Sequence, residues 1–126
     1  MLGGNTTLAN DVYGIYFTAV DALSGLDNIV TNNVIYNIRS NGIIYGLYNA
    51  GSDNVLYYHN TVSLDDNAST ATDVARGFYQ TTAAQGIILR NNIFTLRRGG
   101  TGAKHGIYFN TATSGIISNN NDVFFN

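Results

Sequence analysis

The chain contains no cysteine, no proline and no glutamate, and charged residues make up only 11% of its 126 positions, against about a quarter in ordinary globular domains. Each absence excludes something. Without cysteine there are no disulfides and no thiolate metal sites. Without proline, the residue that most often interrupts a strand is gone. Without glutamate, the commonest acid of carbohydrate-cleaving enzymes is missing. Positive charge is scarce as well: six Lys plus Arg residues are scattered through a chain of net charge −2. Phosphate backbones are gripped by a basic stripe, so no nucleic-acid partner is expected. No apolar run approaches the roughly eighteen residues of a membrane-spanning helix, so no membrane insertion is expected either. The opening Met1-Leu2-Gly3-Gly4 has neither the basic nor the apolar region of a signal peptide, which places the export signal of any secreted parent outside this chain.

What is present is 44% hydrophobic residues, 14 glycines, nine tyrosines and abundant asparagine and threonine. That is enough apolar material for a real core at this length. Asn, Gly, Asp and Ser supply turns by bonding their own backbone and by tolerating positive φ. Between the turns stand short runs rich in β-branched and aromatic residues: Ile43 to Tyr48, Asn54 to Leu64, Gly86 to Leu96 and Gly106 to Phe109. None is periodic at 3.6 residues, and their composition is that of strands. The chain is expected to be all-β.

An internal repeat narrows the architecture. Gly14-Ile15-Tyr16-Phe17 returns as Gly46-Leu47-Tyr48-Asn49, Gly77-Phe78-Tyr79-Gln80 and Gly106-Ile107-Tyr108-Phe109, with the glycines 32, 31 and 29 residues apart. A second phrase keeps step: an asparagine two positions before a β-branched residue recurs at Asn32/Val34, Asn60/Val62, Asn91/Ile93 and Asn121/Val123. Copies about thirty residues apart cannot be arms of a tight hairpin, whereas parallel strands need connections of about a dozen residues or more. Each repeat is then one coil, its short strands stacked roughly 4.8 Å above their equivalents. The expected fold is a right-handed parallel β-helix of about four coils, residues 1–126 forming one segment excerpted from a longer solenoid. A leucine-rich repeat would show its leucine-spaced consensus, and a sandwich would show turns every 8–12 residues or so without the long echo.

Stacking assigns roles. Alternation sends Ile15, Leu47, Phe78 and Ile107 inward and Tyr16, Tyr48, Tyr79 and Tyr108 outward into one column. Val34, Val62, Ile93 and Val123 are read as inward, and Asn32, Asn60, Asn91 and Asn121 with them, forming a buried ladder in which each amide bonds the next. Gly14, Gly46, Gly77 and Gly106 are read as allowing a sharp turn into the strand, where a stacked side chain would crowd its neighbours.

Tyr45-Gly46-Leu47-Tyr48-Asn49, Leu56-Tyr57-Tyr58-His59-Asn60-Thr61-Val62 and Arg90-Asn91-Asn92-Ile93-Phe94, followed by Gly99-Gly100-Thr101-Gly102-Ala103-Lys104-His105, resemble right-handed parallel β-helix repeats. More narrowly, they are similar to large secreted repeat proteins of Bacteroidetes-type bacteria exported by type IX secretion. The resemblance covers nearly the whole chain and implies an extracellular or cell-surface location, but no single activity, since β-helix proteins include polysaccharide lyases, galacturonan hydrolases, adhesins, ice binders and phage tailspikes.

For catalysis, Asp65, Asp66 and His105 are the candidates. Asp65-Asp66 and Lys104-His105-Gly106 resemble the Asp-Asp and His-Gly motifs of β-helical polygalacturonases, but that family's Asn-Thr-Asp and Arg-x-Lys motifs are missing. Adjacent aspartates in a Ser/Thr/Asn-rich stretch also fit a solvated loop. Turn aspartates such as Asp27, Asp53 and Asp65 need no calcium, His59 and His105 are too isolated for a metal site, and no metal or cofactor is expected. Arg76 and His105, each preceding a repeat glycine, read first as solvated side chains on an outward or turn position; the alternative is a small basic spot, formed with Lys104 and suited to a uronate or sulfate. Asn5-Thr6-Thr7 and Asn67-Ala68-Ser69 match the glycosylation pattern, without meaning in a bacterial protein. The expected function is a structural or surface-binding segment whose partner is polysaccharide or another cell surface, with Tyr16, Tyr48, Tyr79 and Tyr108 as its ligand-binding column. A polysaccharide-degrading enzyme, lyase or glycoside hydrolase, and a scaffold that associates end to end are the alternatives.

Overall fold

The computed structural model describes residues 8–126. The first coil carries β1 (Val12–Thr18), β2 (Asn28–Thr31) and β3 (Val34–Ile35); the second carries β4 (Ile44–Ala50), β5 (Val55–Tyr58) and β6 (Thr61–Leu64). The third carries β7 (Ala75–Gln80), β8 (Ile87–Arg90) and β9 (Ile93–Leu96), and the fourth β10 (Lys104–Phe109), β11 (Ile116–Asn119) and β12 (Asp122–Phe125). Equivalent strands pair in parallel, giving a first sheet β1-β4-β7-β10, a second β2-β5-β8-β11 and a third β3-β6-β9-β12. The molecule is a parallel β-solenoid of about four coils, and the repeated phrases are one strand position visited four times. Register places Tyr16, Tyr48, Tyr79 and Tyr108 opposite one another, and likewise Ile15, Leu47, Phe78 and Ile107.

The core fills the space the three sheets enclose. Leu47 and Phe78 from the first sheet, Val55, Tyr57, Ile87 and Leu89 from the second, and Val62, Phe94 and Leu96 from the third are completely buried. Each such side chain contributes about 1.5–3 kcal/mol on leaving water. Burial is deepest in the two middle coils, because each has a coil on either side.

The second and third sheets meet at a two-residue corner whose backbone geometry is the same in every coil. Its first residue takes positive φ: Asn32 (57°), His59 (54°), Asn91 (56°) and Asn120 (54°). Asparagine tolerates that left-handed region better than most residues. The second residue is an inward asparagine, and these four form the amide ladder. Asn33 donates from its backbone N and from Nδ2 to Oδ1 of Asn60, at 3.1 and 3.0 Å. Asn60 does the same to Asn92, both at 3.0 Å, and Asn92 to Asn121 at 3.0 and 2.9 Å. The ladder therefore runs Asn33, Asn60, Asn92, Asn121. The expected Asn32 and Asn91 are each one residue out. They sit in the exposed left-handed position instead.

The inward apolar set shifts with them. Ile35, Val62, Phe94 and Val123 are in register, with Ile35 and Phe94 buried, while Val34 and Ile93 are exposed. Since strand side chains alternate with a period of two, a slip of one residue moves the whole set to the other face.

The repeat glycines lie within the first-sheet strands rather than at a turn into them. A Cβ on Gly77 would come within 2.6 Å of the carbonyl oxygen of Gly106 and 2.6 Å of the Phe94 ring. Gly46 is closed off in the same way by Val62 and by the Gly77 carbonyl, and Gly106 by Val123. The bare backbone makes room for the inward side chains of the third sheet. It also interrupts strict alternation, so that residues three apart, such as Tyr13 and Tyr16, both face outward.

Candidate functional site

That interruption gives the first sheet an outer face of two columns instead of one. One column is Tyr16, Tyr48, Tyr79 and Tyr108; the other is Tyr13, Tyr45, Arg76 and His105. Six of the nine tyrosines of the chain are gathered here. Rings in register stack along the solenoid axis: Tyr16 on Tyr48 with centroids 4.6 Å apart and planes 17° apart, Tyr48 on Tyr79 at 5.3 Å and 17°, Tyr13 on Tyr45 at 5.5 Å and 20°. The columns also touch, Tyr45 lying 5.2 Å from Tyr48 and 4.6 Å from Tyr79. Offset and tilted pairs of this kind add about 0.5–1.5 kcal/mol beyond their buried area.

Stacking decides what the face presents. A ring sandwiched between neighbours shows solvent its edge and its hydroxyl, so the middle of the column is a ridge of edges and not a flat platform. The faces most open are at the first coil, where Tyr13 is 40% and Tyr16 48% exposed, while Tyr45 and Tyr79 are each only 8% exposed. Burial pushes the Tyr45 phenol above its ordinary range, with Arg76 acting in the opposite direction. Tyr48 closes the edge of the patch through its hydroxyl, 3.4 Å from Thr81 Oγ1.

At the third and fourth coils the aromatic pattern opens around a cation. Tyr79 and Tyr108 are splayed by 50° with centroids 5.8 Å apart, and the guanidinium carbon of Arg76 sits in the V, 4.0 Å from one centroid and 4.2 Å from the other. Arg76 Nη1 donates to Tyr45 Oη at 3.2 Å. His105 lies opposite Arg76 in register, its ring 4.7 Å from that of Tyr108. Desolvation lowers the His105 pKa, and the Arg76 charge lowers it further. Lys104 does not join them. It occupies the register position of Val12, Ile44 and Ala75, and its Nζ donates to the carbonyls of Gly100 and Gly102 at 3.0 and 3.1 Å.

The remaining candidates are dispersed. Asp65 is exposed and Asp66 buried in the loop between β6 and β7. Beside that loop the buried Arg98 donates to the carbonyls of Ser40, Gly42 and Asp73. His105 stands on the first-sheet face. Asp21 and Asp53 act as turn acceptors from the next coil, taking the backbone N–H of Asp53 and Gln85 at 3.0 and 2.7 Å. His59 occupies its exposed corner, and no cluster of three or more His, Cys, Asp or Glu side chains converges among the described residues. Asn67 is exposed, and Asn5 lies outside the described residues. Tyr13 and Tyr45 are the members of the face that alternation alone misses; the signal for them is the spacing Tyr-Gly-x-Tyr, present at Tyr13 to Tyr16 and again at Tyr45 to Tyr48. No family model matches this chain, and no curated protein or solved structure shows significant similarity to it.

Proposed function

We propose that this chain is a structural and surface-binding stretch of a secreted bacterial solenoid protein, working outside the cell or on its surface, and that its partner is a polysaccharide held along the tyrosine face of the first sheet. The observation that carries this reading is the concentration of six tyrosines on one outer face, with Tyr13 and Tyr16 side by side at 5.7 Å. A tyrosine offers an apolar face to the C–H groups of a sugar and a hydroxyl to its oxygens, which suits it to a wet, amphipathic ligand. The secreted origin and the likeness to type IX-exported repeat proteins rest on the resemblance of the repeat phrases. The hydrolytic alternative is less well supported, since Asp66 is buried while Asp65 is exposed, whereas a glycosidase needs two carboxyl groups flanking the scissile bond.

The test is a glycan array and a pull-down on insoluble polysaccharides, with the parent and with a Tyr13→Ala, Tyr16→Ala double variant. Binding by the parent that is lost in the double variant, with the circular dichroism spectrum retained, is the expected result. A parent silent on both supports, or a variant that binds as the parent does, overturns the proposal.

A further inference from the structure

We infer that Arg76 and His105 form an anion subsite on the tyrosine face, which takes the carboxylate of a uronate or the sulfate ester of a sulfated sugar. The inference rests on the polysaccharide reading above and narrows the ligand to an acidic one.

Three observations support it. The first is that Arg76 is held still. Its guanidinium lies 4.0 and 4.2 Å from the Tyr79 and Tyr108 centroids and 5.3 Å from that of Tyr45. An arginine fixed in this way has already lost its rotamer freedom, so little more is lost when an oxyanion docks. The second is that its charge is not neutralised by what holds it. Its one side-chain hydrogen bond among the described residues goes to a neutral phenol, Tyr45 Oη, and its Nε is buried without a partner. The register neighbours of Arg76 are Tyr45 and His105, and neither is a carboxylate. This arginine is clamped between rings with no acid hydrogen-bonded to it among the described residues.

The third observation is His105. It sits opposite Arg76 with Nδ1 buried and unpartnered, and the groups facing it are the Arg76 guanidinium and the Tyr108 ring. Protonating His105 beside Arg76 places two cations together with no counter-charge. A bound oxyanion supplies that charge, and His105 then becomes a second donor to it. Carboxylate and sulfate share the chemistry that fits: planar or tetrahedral oxygens that accept charge-assisted hydrogen bonds from a guanidinium edge. Elsewhere on the face the rings offer only phenol hydroxyls, so this is the place where an acidic substituent is distinguished from a neutral one.

Two measurements on the intact chain test this. The first follows the His105 ring by NMR titration in the presence of sodium sulfate, of galacturonic acid, or of sodium chloride at matched ionic strength. A rise in the His105 pKa with either oxyanion but not with chloride, abolished in Arg76→Gln, is expected; identical titrations in all three salts overturn the inference. The second compares a polyuronate, a sulfated galactan and a neutral galactan by affinity electrophoresis. Acidic polymers should bind about tenfold more tightly than the neutral one, as a charge-assisted hydrogen bond is worth, and Arg76→Gln should remove that advantage. Preference for the sulfated galactan or for the polyuronate identifies the source of the anion. Equal binding of all three polymers overturns the subsite while leaving the polysaccharide reading intact, and a salt-specific His105 shift with no polymer bound does the reverse.

Discussion

Two columns run the length of this solenoid, one inside and one outside, and they are built on different physics. At the corner between the second and third sheets, Asn33, Asn60, Asn92 and Asn121 are tied by directional bonds of 2.9 to 3.1 Å. On the outer face of the first sheet, Tyr16, Tyr48, Tyr79 and Tyr108 are in contact through rings 4.6 to 5.8 Å apart at angles from 17° to 50°. An amide at the corner satisfies the coils on both sides at once, and nothing of another shape fits its bonds. A ring on the face satisfies nothing obligatory. The neighbouring column shows the latitude this leaves, changing from Tyr13 and Tyr45 to Arg76 and His105 without leaving register. The amide ladder is specified residue by residue, whereas the column of Tyr13, Tyr45, Arg76 and His105 is not, and that column is where binding chemistry can vary.

The comparison is broken most severely by removing an interior amide. Asn92 is completely buried; its Oδ1 accepts from Asn60 N and Nδ2, and its Nδ2 donates to Tyr57 O at 2.8 Å and to Asn121 Oδ1. In Asn92→Leu these donors and acceptors stay buried without partners, and the expected loss is about 3–5 kcal/mol. Its neighbour is the control. Asn91 is exposed at φ 56°, a geometry glycine adopts freely, so Asn91→Gly should stay within about 0.5 kcal/mol of the parent. Urea denaturation of both variants settles the assignment, and an Asn91 variant less stable than the Asn92 one would return the ladder to the register first read from the sequence.

A smaller effect is expected at the glycine that lets the two columns coexist. Gly77→Ala places a methyl 2.6 Å from the Gly106 carbonyl oxygen and 2.6 Å from Phe94. One of these is backbone, held by strand pairing, and cannot yield as a side chain would. The expected cost is about 2–3 kcal/mol, read in the same denaturation series. An alanine tolerated here would mean that the coils can separate at this point, and that the glycine phrase marks something other than close approach.

The fold was legible because it depends on period, and period survives in any coil whose length varies by only a few residues. The inward residues of the first sheet and the outward tyrosines were legible for the same reason. The ladder was half legible. Asn60 and Asn121 stand two residues before Val62 and Val123, but Asn32-Asn33 precedes Val34-Ile35, where both registers satisfy the rule, and Asn91-Asn92 precedes Ile93-Phe94, where only the wrong register does because phenylalanine is not β-branched. Leucine four residues on from the true ladder position, Leu64 after Asn60 and Leu96 after Asn92, carries the distinction in the middle coils. Both leucines are buried and paired in register. The subsite at Arg76 was visible only as basic residues near repeat glycines. That its cation is caged by Tyr79 and Tyr108 depends on how rings splay, and no spacing rule encodes that.

On the tyrosine face the expected effects depend on coil. Tyr79 is 8% exposed and in contact with Tyr45, Tyr48, Tyr108 and Arg76. Truncating it removes a buried ring from the middle of the patch, and Tyr79→Ala should cost about 2–3 kcal/mol. Tyr16 is 48% exposed, with Tyr48 as its stacked partner on one side, and Tyr16→Ala should cost less than about 1 kcal/mol. The gradient follows from the physics assigned to this column: dispersion and area burial add up contact by contact, whereas the amide ladder fails as a unit. A Tyr16→Ala loss equal to that of Tyr79→Ala would show that the outer column is as cooperative as the inner one and would leave the exterior no freer to change than the core.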